Sequence, residues 1–134
     1  MSLTSKRVLV VEDDFLIAKD LTDAVTQAKG EAVVVASAAL AVDKIERESI
    51  DCALLNVNLD GEPSVLAASH LKAHNVPFVV VTGYSKETLP PDFLDAPYLS
   101  KPITRPELID TILRMTSVAS ESRTDRVPTG RHFG

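Results

Sequence analysis

Apolar residues along the chain fall into short solid runs that alternate with spaced series. A solid run of four to eight apolar residues bounded by turn signals predicts a strand buried on both faces, and a three- and four-residue spacing predicts a helix with one apolar stripe. Arg7 to Val11 is the first such run, and Phe15 to Lys29 follows with helical spacing at Ile17, Leu21, Ala24, Val25 and Ala28. Gly30 stands where the left-handed residue after a helix belongs. Ala32 to Ala36 predicts a second strand, and Ser37 caps a helix carrying Leu40, Ala41 and Ile45. Ile50 to Gly61 predicts the central strand and its exit, with a turn at Gly61-Glu62-Pro63. Ser64 to His74 predicts a helix with Ala67, Ala68 and Leu71 inward, and Val76 to Thr82 a fourth strand with Pro77 at its start, where a missing N–H is tolerated.

Tyr84 to Pro97 is irregular, because Pro90-Pro91 cannot continue a helix. Tyr98 to Ser100 is a short fifth strand. Thr104-x-x-Glu107 has capping-box spacing with Pro106 in the first turn, and the helix it opens runs to about Thr116, burying Leu108, Ile109, Ile112 and Met115. Five strands alternating with helices predict an α/β fold, a parallel sheet covered on both faces. We expect strand order 2-1-3-4-5, which sets strands one and three side by side at a switch point, as in a flavodoxin-like doubly wound (βα)5 domain. The fourth helix is expected to be short or irregular. The domain spans 5–118, and 119–134, with little apolar content, predicts a flexible tail.

Composition narrows the class. A chain of 134 residues with 45% apolar content suits one globular domain. A net charge of −5, with 14 Lys and Arg scattered rather than clustered, argues against a nucleic-acid surface. The single Cys52 falls inside the central strand, as a buried hydrophobe. Ala32 to Val42, the longest nearly apolar run, is far short of the roughly 18 residues of a membrane span, and there is no secretory h-region. The expectation is a soluble cytoplasmic protein.

Chemistry gathers at the strand ends. Glu12-Asp13-Asp14 follows strand one; Asp14 reads as the cap of the next helix. Glu12 and Asp13 form a crowded acid pair of hard oxygen ligands, suited to Mg²⁺. Thr82 ends strand four, and Lys101-Pro102 follows strand five. Adjacent parallel strands bring these ends to one rim around Asn56. A metal, a lysine and a hydroxyl together suit a phosphoryl group, whose charge they offset and whose oxygens they bind.

Val8-Leu9-Val10-Val11-Glu12-Asp13-Asp14, Leu54-Leu55-Asn56-Val57-Asn58, Val81-Thr82-Gly83 and Tyr98-Leu99-Ser100-Lys101-Pro102 resemble, as an ordered set, the four signatures of a response-regulator receiver domain. The resemblance implies two-component signal transduction, in which an aspartate accepts a phosphoryl group from a histidine kinase. It implies metal ligation by Glu12, Asp13 and the backbone carbonyl of Asn58. It also implies a switch pair in Thr82 and Tyr98, and phosphate contact by Lys101. Pro77 to Tyr84 further resembles the single-domain subgroup called FAT GUY, with Val80-Val81 where the subgroup has Phe-Ala.

The departure is Asn56, at the phosphoacceptor position. A carboxamide is a poor nucleophile and carries no charge, so Mg²⁺ attraction falls. Its NH₂ can donate to Glu12 or Asp13 and its oxygen accept from Lys101. The reading is a non-enzymatic pseudo-receiver, monomer or weak dimer, acting by protein contact through the fourth-helix loop, strand five and last helix. The tail is too short for an output domain. An active receiver with an engineered Asp-to-Asn block is the alternative within the class. A small-molecule-binding flavodoxin-like protein is the alternative outside it, although no Gly-rich phosphate loop follows strand one. His70 and His74, at i and i+4, have no acid partner in their segment and read as solvated, because a metal site needs three or four ligands.

Overall fold

The computed structural model describes residues 3–59, 62–83, 89–93 and 96–116. Its main sheet holds β1 (Arg7–Val11), β2 (Glu31–Val35), β3 (Cys52–Asn56), β6 (Phe78–Thr82) and β7 (Tyr98–Ser100), all parallel. Two further two-residue strands, β4 (Asn58–Leu59) and β5 (Glu62–Pro63), pair antiparallel with each other where the sequence reads only a turn. The sheet order is β2-β1-β3-β6-β7, the expected 2-1-3-4-5 once the short pair is left out of the count. Helices α1 (Phe15–Gln27), α2 (Ala38–Arg47) and α3 (Val65–Ala73) are joined by α4 over 105–116. Between β6 and β7 the described residues include one 3₁₀ turn, Pro91–Phe93; residues 84–88 and 94–95, and the tail from 117, lie outside the described residues.

Strand alternation divides the core into two layers. Val8, Val10, Leu54, Val79 and Val81 meet Leu21, Val25, Leu108 and Ile112 on one face. Leu9, Val11, Leu55 and Val80 meet Ala41, Ile45, Leu71 and Phe93 on the other. Every residue of β3 is buried, as its unbroken apolar run requires. Leu40 and Ile109, expected inward, differ: Leu40 is exposed and Ile109 half-buried. Each lies about 100° round the helix from the true stripe, Ala41/Ile45 in α2 and Leu108/Ile112/Met115 in α4.

Local signals fix the helix ends. Asp14 Oδ1 accepts from the N–H groups of Leu16 (2.9 Å) and Ile17 (3.2 Å), and Ser37 Oγ from Leu40 (3.2 Å). The left-handed residue closing α1 is Lys29 (φ 73°), not Gly30. Lys29 N–H bonds to Thr26 O and Gly30 N–H to Val25 O, a Schellman close one residue earlier than the glycine suggests. Gly30 is required for space instead: a Cβ there would lie 3.0 Å from both Leu3 Cβ and Val25 Cγ1.

Glu48, just past α2, accepts from Lys44 Nζ (2.8 Å) and pairs with Arg7 of β1. The Lys44 hydrogen bond, then that of Arg7, hold its carboxyl below the ordinary 4.5. A lowered carboxylate pKa contributes stability that is present above the unfolded value and lost as pH falls through the folded one. We expect Glu48→Gln to reduce the loss of stability below pH 4.5, read by urea titration at a series of acidic pH values. An unchanged acid limb would contradict the assignment.

Candidate functional site

Register carries the chemistry to one edge. Val11 pairs with Leu55 and Asn56 with Val81, so the residues after β1 and at the ends of β3 and β6 share the C-terminal rim. Thr82 pairs with Ser100, and Lys101 N–H donates to Thr82 O (2.8 Å), which brings Lys101 to the same place. The Lys101–Pro102 peptide is cis.

The centre of the rim is Asn56, only 8% exposed. Its Nδ2 donates to Glu12 Oε2 (3.0 Å), Asp13 Oδ1 (3.3 Å) and the Asn58 carbonyl (2.9 Å). All three neighbours are acceptors, so the nitrogen and not Oδ1 must face them. Two N–H protons serve three oxygens, and one bond is shared. Lys101 Nζ donates to Glu12 Oε1 (3.2 Å) rather than to the amide oxygen of Asn56, which corrects the expected bridge from Asn56 to the lysine. Lysine and amide thus hold the two oxygens of one buried carboxylate. Burial pushes the Glu12 carboxyl above its ordinary value; the Asp14 N–H and the Lys101 charge pull it partly back.

Thr82 is buried at the end of β6. Tyr98 is half-buried, pairs with Val80, and packs on the core layer shared with α2 and α3, two positions back from the rim along β7.

Sequence reasoning missed Ser64. Its buried hydroxyl donates to Asn56 O (2.6 Å) and Val57 O (3.1 Å), and its N–H to Val57 O (2.7 Å). It therefore pins the chain leaving β3, and α3 begins without a side-chain cap bond. A serine before a helix signals a cap; an inward hydroxyl leaves no mark in sequence. We expect Ser64→Ala to cost about 1–3 kcal/mol, because the buried Asn56 carbonyl loses its hydroxyl partner while Val57 O keeps the backbone N–H of residue 64. Urea denaturation measures it, and a cost near zero would show that the hydroxyl is dispensable.

The Glu12 and Asp13 carboxylates and the Asn58 carbonyl are oxygens of the kind a hard divalent cation takes. The Asn56 N–H groups stand where those oxygens converge. The donor set fits such a cation once the amide turns to present Oδ1. Beside the rim, an open cleft of about 590 Å³ is lined by apolar Leu16, Ile17, Leu21, Pro102 and Ile103 together with the charged Asp20 and Lys101. Phe15 and Leu16, at the start of α1, are 77% and 74% exposed.

The family model of the response regulator receiver domain matches residues 8–113. The chain belongs to that family. No curated protein matches it. Among solved structures, SdrG from Sphingomonas melonis Fr1 is 36% identical to this receiver, with TM-score 0.74 over 87% of this chain and 99% of that one. A CheY-like receiver domain protein from Methanospirillum hungatei JF-1 is 25% identical, with TM-score 0.78 over 87% and 97%. The receiver domain of sensor histidine kinase PA1611 from Pseudomonas aeruginosa PAO1, solved with magnesium in its active-site cleft, is 21% identical, with TM-score 0.74 over 84% and 98%. Among the described residues of this receiver, no helix is long and apolar enough to cross a membrane.

Proposed function

We propose that this receiver is a two-component signalling module that does not accept a phosphoryl group at residue 56 and acts by protein contact. The observation that carries the reading is the Asn56 Nδ2 held by Glu12, Asp13 and the Asn58 carbonyl. Forming an acyl phosphate needs a carboxylate oxygen aimed at phosphorus. Here a neutral amide presents N–H protons to the acids instead. Its hydrogen bonds do part of what a cation would do, so Mg²⁺ is bound weakly, through Glu12, Asp13 and the Asn58 carbonyl. When bound, the ion would offset carboxylate charge. Lys101 keeps its place as phosphate-contacting residue, and Thr82 and Tyr98 as the switch pair, without an acceptor to serve.

The partner in this reading is a histidine kinase or another two-component protein, met by a monomer or weak dimer. Phe15 and Leu16 support contact at the start of α1, because large apolar side chains grouped beside a cleft favour a docked partner over water. The FAT GUY assignment rests on Pro77 to Tyr84, with Pro90-Pro91 in agreement with the subgroup's loosened fourth helix.

Intact-mass spectrometry tests the reading, after incubation of the chain and of Asn56→Asp with a small phosphoryl donor and Mg²⁺. A phosphoryl mass on Asn56→Asp alone is the expected result. Phosphorylation of the unaltered chain at residue 56 would overturn it.

A further inference from the structure

A second group of metal-type ligands meets on the other edge of the sheet. In this fold the helices run back from the rim, so their C-terminal ends lie below the strands' starts. Glu46 is in the last turn of α2, while His70 lies on α3 and His74 is its C-cap residue. Glu46 Oε2 is 2.8 Å from His70 Nδ1 and 2.9 Å from His74 Nε2. The three ligand atoms all lie within 4.8 Å of one another. The acid that the histidines lack in their own segment therefore comes from the neighbouring helix, which corrects their reading as merely solvated.

We propose that Glu46, His70 and His74 form a zinc site that ties α2 to α3, with water in the fourth position. Two imidazoles and one carboxylate are a ligand set that zinc takes with a solvent molecule. Metal–ligand bonds of about 2.0–2.1 Å put tetrahedral ligand atoms roughly 3.3 Å apart. The two measured separations need open by only about half an ångström to reach that spacing. The side chains are 32% (His70), 39% (His74) and 45% (Glu46) exposed, so an ion can enter and keep a water.

The backbone fixes the pair. Asn75 is left-handed (φ 58°), Val76 N–H bonds to Leu71 O and Asn75 N–H to Lys72 O, which closes α3 and sets His74 one turn beyond His70. Cys52 does not compete, since it is buried and its thiol is pushed up to about 12. The site lies away from Asn56 and does not depend on the proposed signalling role.

Calorimetric titration of Zn²⁺ into the chelator-treated full chain tests the proposal. One ion per chain is expected. Glu46→Gln, His70→Ala and His74→Ala should each weaken it at least about tenfold, the minimum seen even for groups that only support a metal ligand. Asp13→Asn and His132→Ala should leave it unchanged, which separates this site from the rim and from the remaining histidine. On the unaltered chain, Zn²⁺ should shift the imidazole NMR signals of His70 and His74 together. Absence of binding, binding untouched by all three ligand variants, or binding lost with Asp13→Asn or His132→Ala would overturn the site.

Discussion

Asn56→Asp is expected to make the stability of this receiver depend on a divalent cation. The substitution removes the amide donor that Glu12 Oε2, Asp13 Oδ1 and the Asn58 carbonyl share, leaving the Asp14 N–H on Glu12 Oε2, and puts a third carboxylate within about hydrogen-bond distance of the other two. Bonds to charged acceptors contribute about 1.5–3 kcal/mol each, and like charges add repulsion that burial does not screen. Lys101 compensates one carboxylate and is already engaged by Glu12. The rim charge goes from −1 (Glu12, Asp13, Lys101) to −2. In chelator the variant should lose about 2–3 kcal/mol, a fall in melting midpoint of roughly 10 °C for a domain of this size. Added Mg²⁺ should restore most of it, since a ligand at a hundred times its Kd contributes about 2.7 kcal/mol. The unaltered chain should respond much less, because its amide already stands among the oxygens. Melts of both proteins with and without MgCl₂ decide the matter. Equal responses, or no loss in chelator, would show that the Asn56 hydrogen bonds do not substitute for a cation.

How far the sequence reveals such a site depends on the range of the interactions that build it. The strand runs and the Asp14 and Ser37 caps are local signals, and the structure follows them; the sheet order is not local, and it is reached through the switch point between strands one and three. The meeting of Glu12, Asn56 and Lys101 across 44 and 89 residues is legible because parallel register places strand ends together once the order is known. What stays hidden is the direction of a side chain. Ser64 has the sequence of a cap and the position of a clamp. Lys101 has two acceptors within plausible reach, and the ionised Glu12 outcompetes a neutral amide oxygen for its ammonium group. Gly30 marks the end of α1 correctly, yet the left-handed turn falls on Lys29, because packing against Leu3 and Val25 governs the glycine. Glu46 is silent for another reason. Its histidines lie on a different helix, and periodicity within one segment cannot show what the next helix brings across.

Leu55→Ala should be among the most destabilising single substitutions in the described core. Leu55 is fully buried in β3, directly before Asn56, in the layer with Ile45, Leu71, Val80 and Phe93. Strands lie on both sides of it, β1 through Val11 and β6 through Val80, so the cavity walls cannot readily collapse. Lost transfer free energy and an unfilled cavity together give about 3–5 kcal/mol. Against a total of roughly 5–15 kcal/mol for a single domain, that is a large fraction. Leu66, on the outer side of α3 and 54% exposed, provides the contrast: Leu66→Ala should change stability by no more than about 0.5 kcal/mol. Urea midpoints of the two variants test the placement of β3. Similar costs for both leucines would mean that β3 is not the buried centre on which the rim is built.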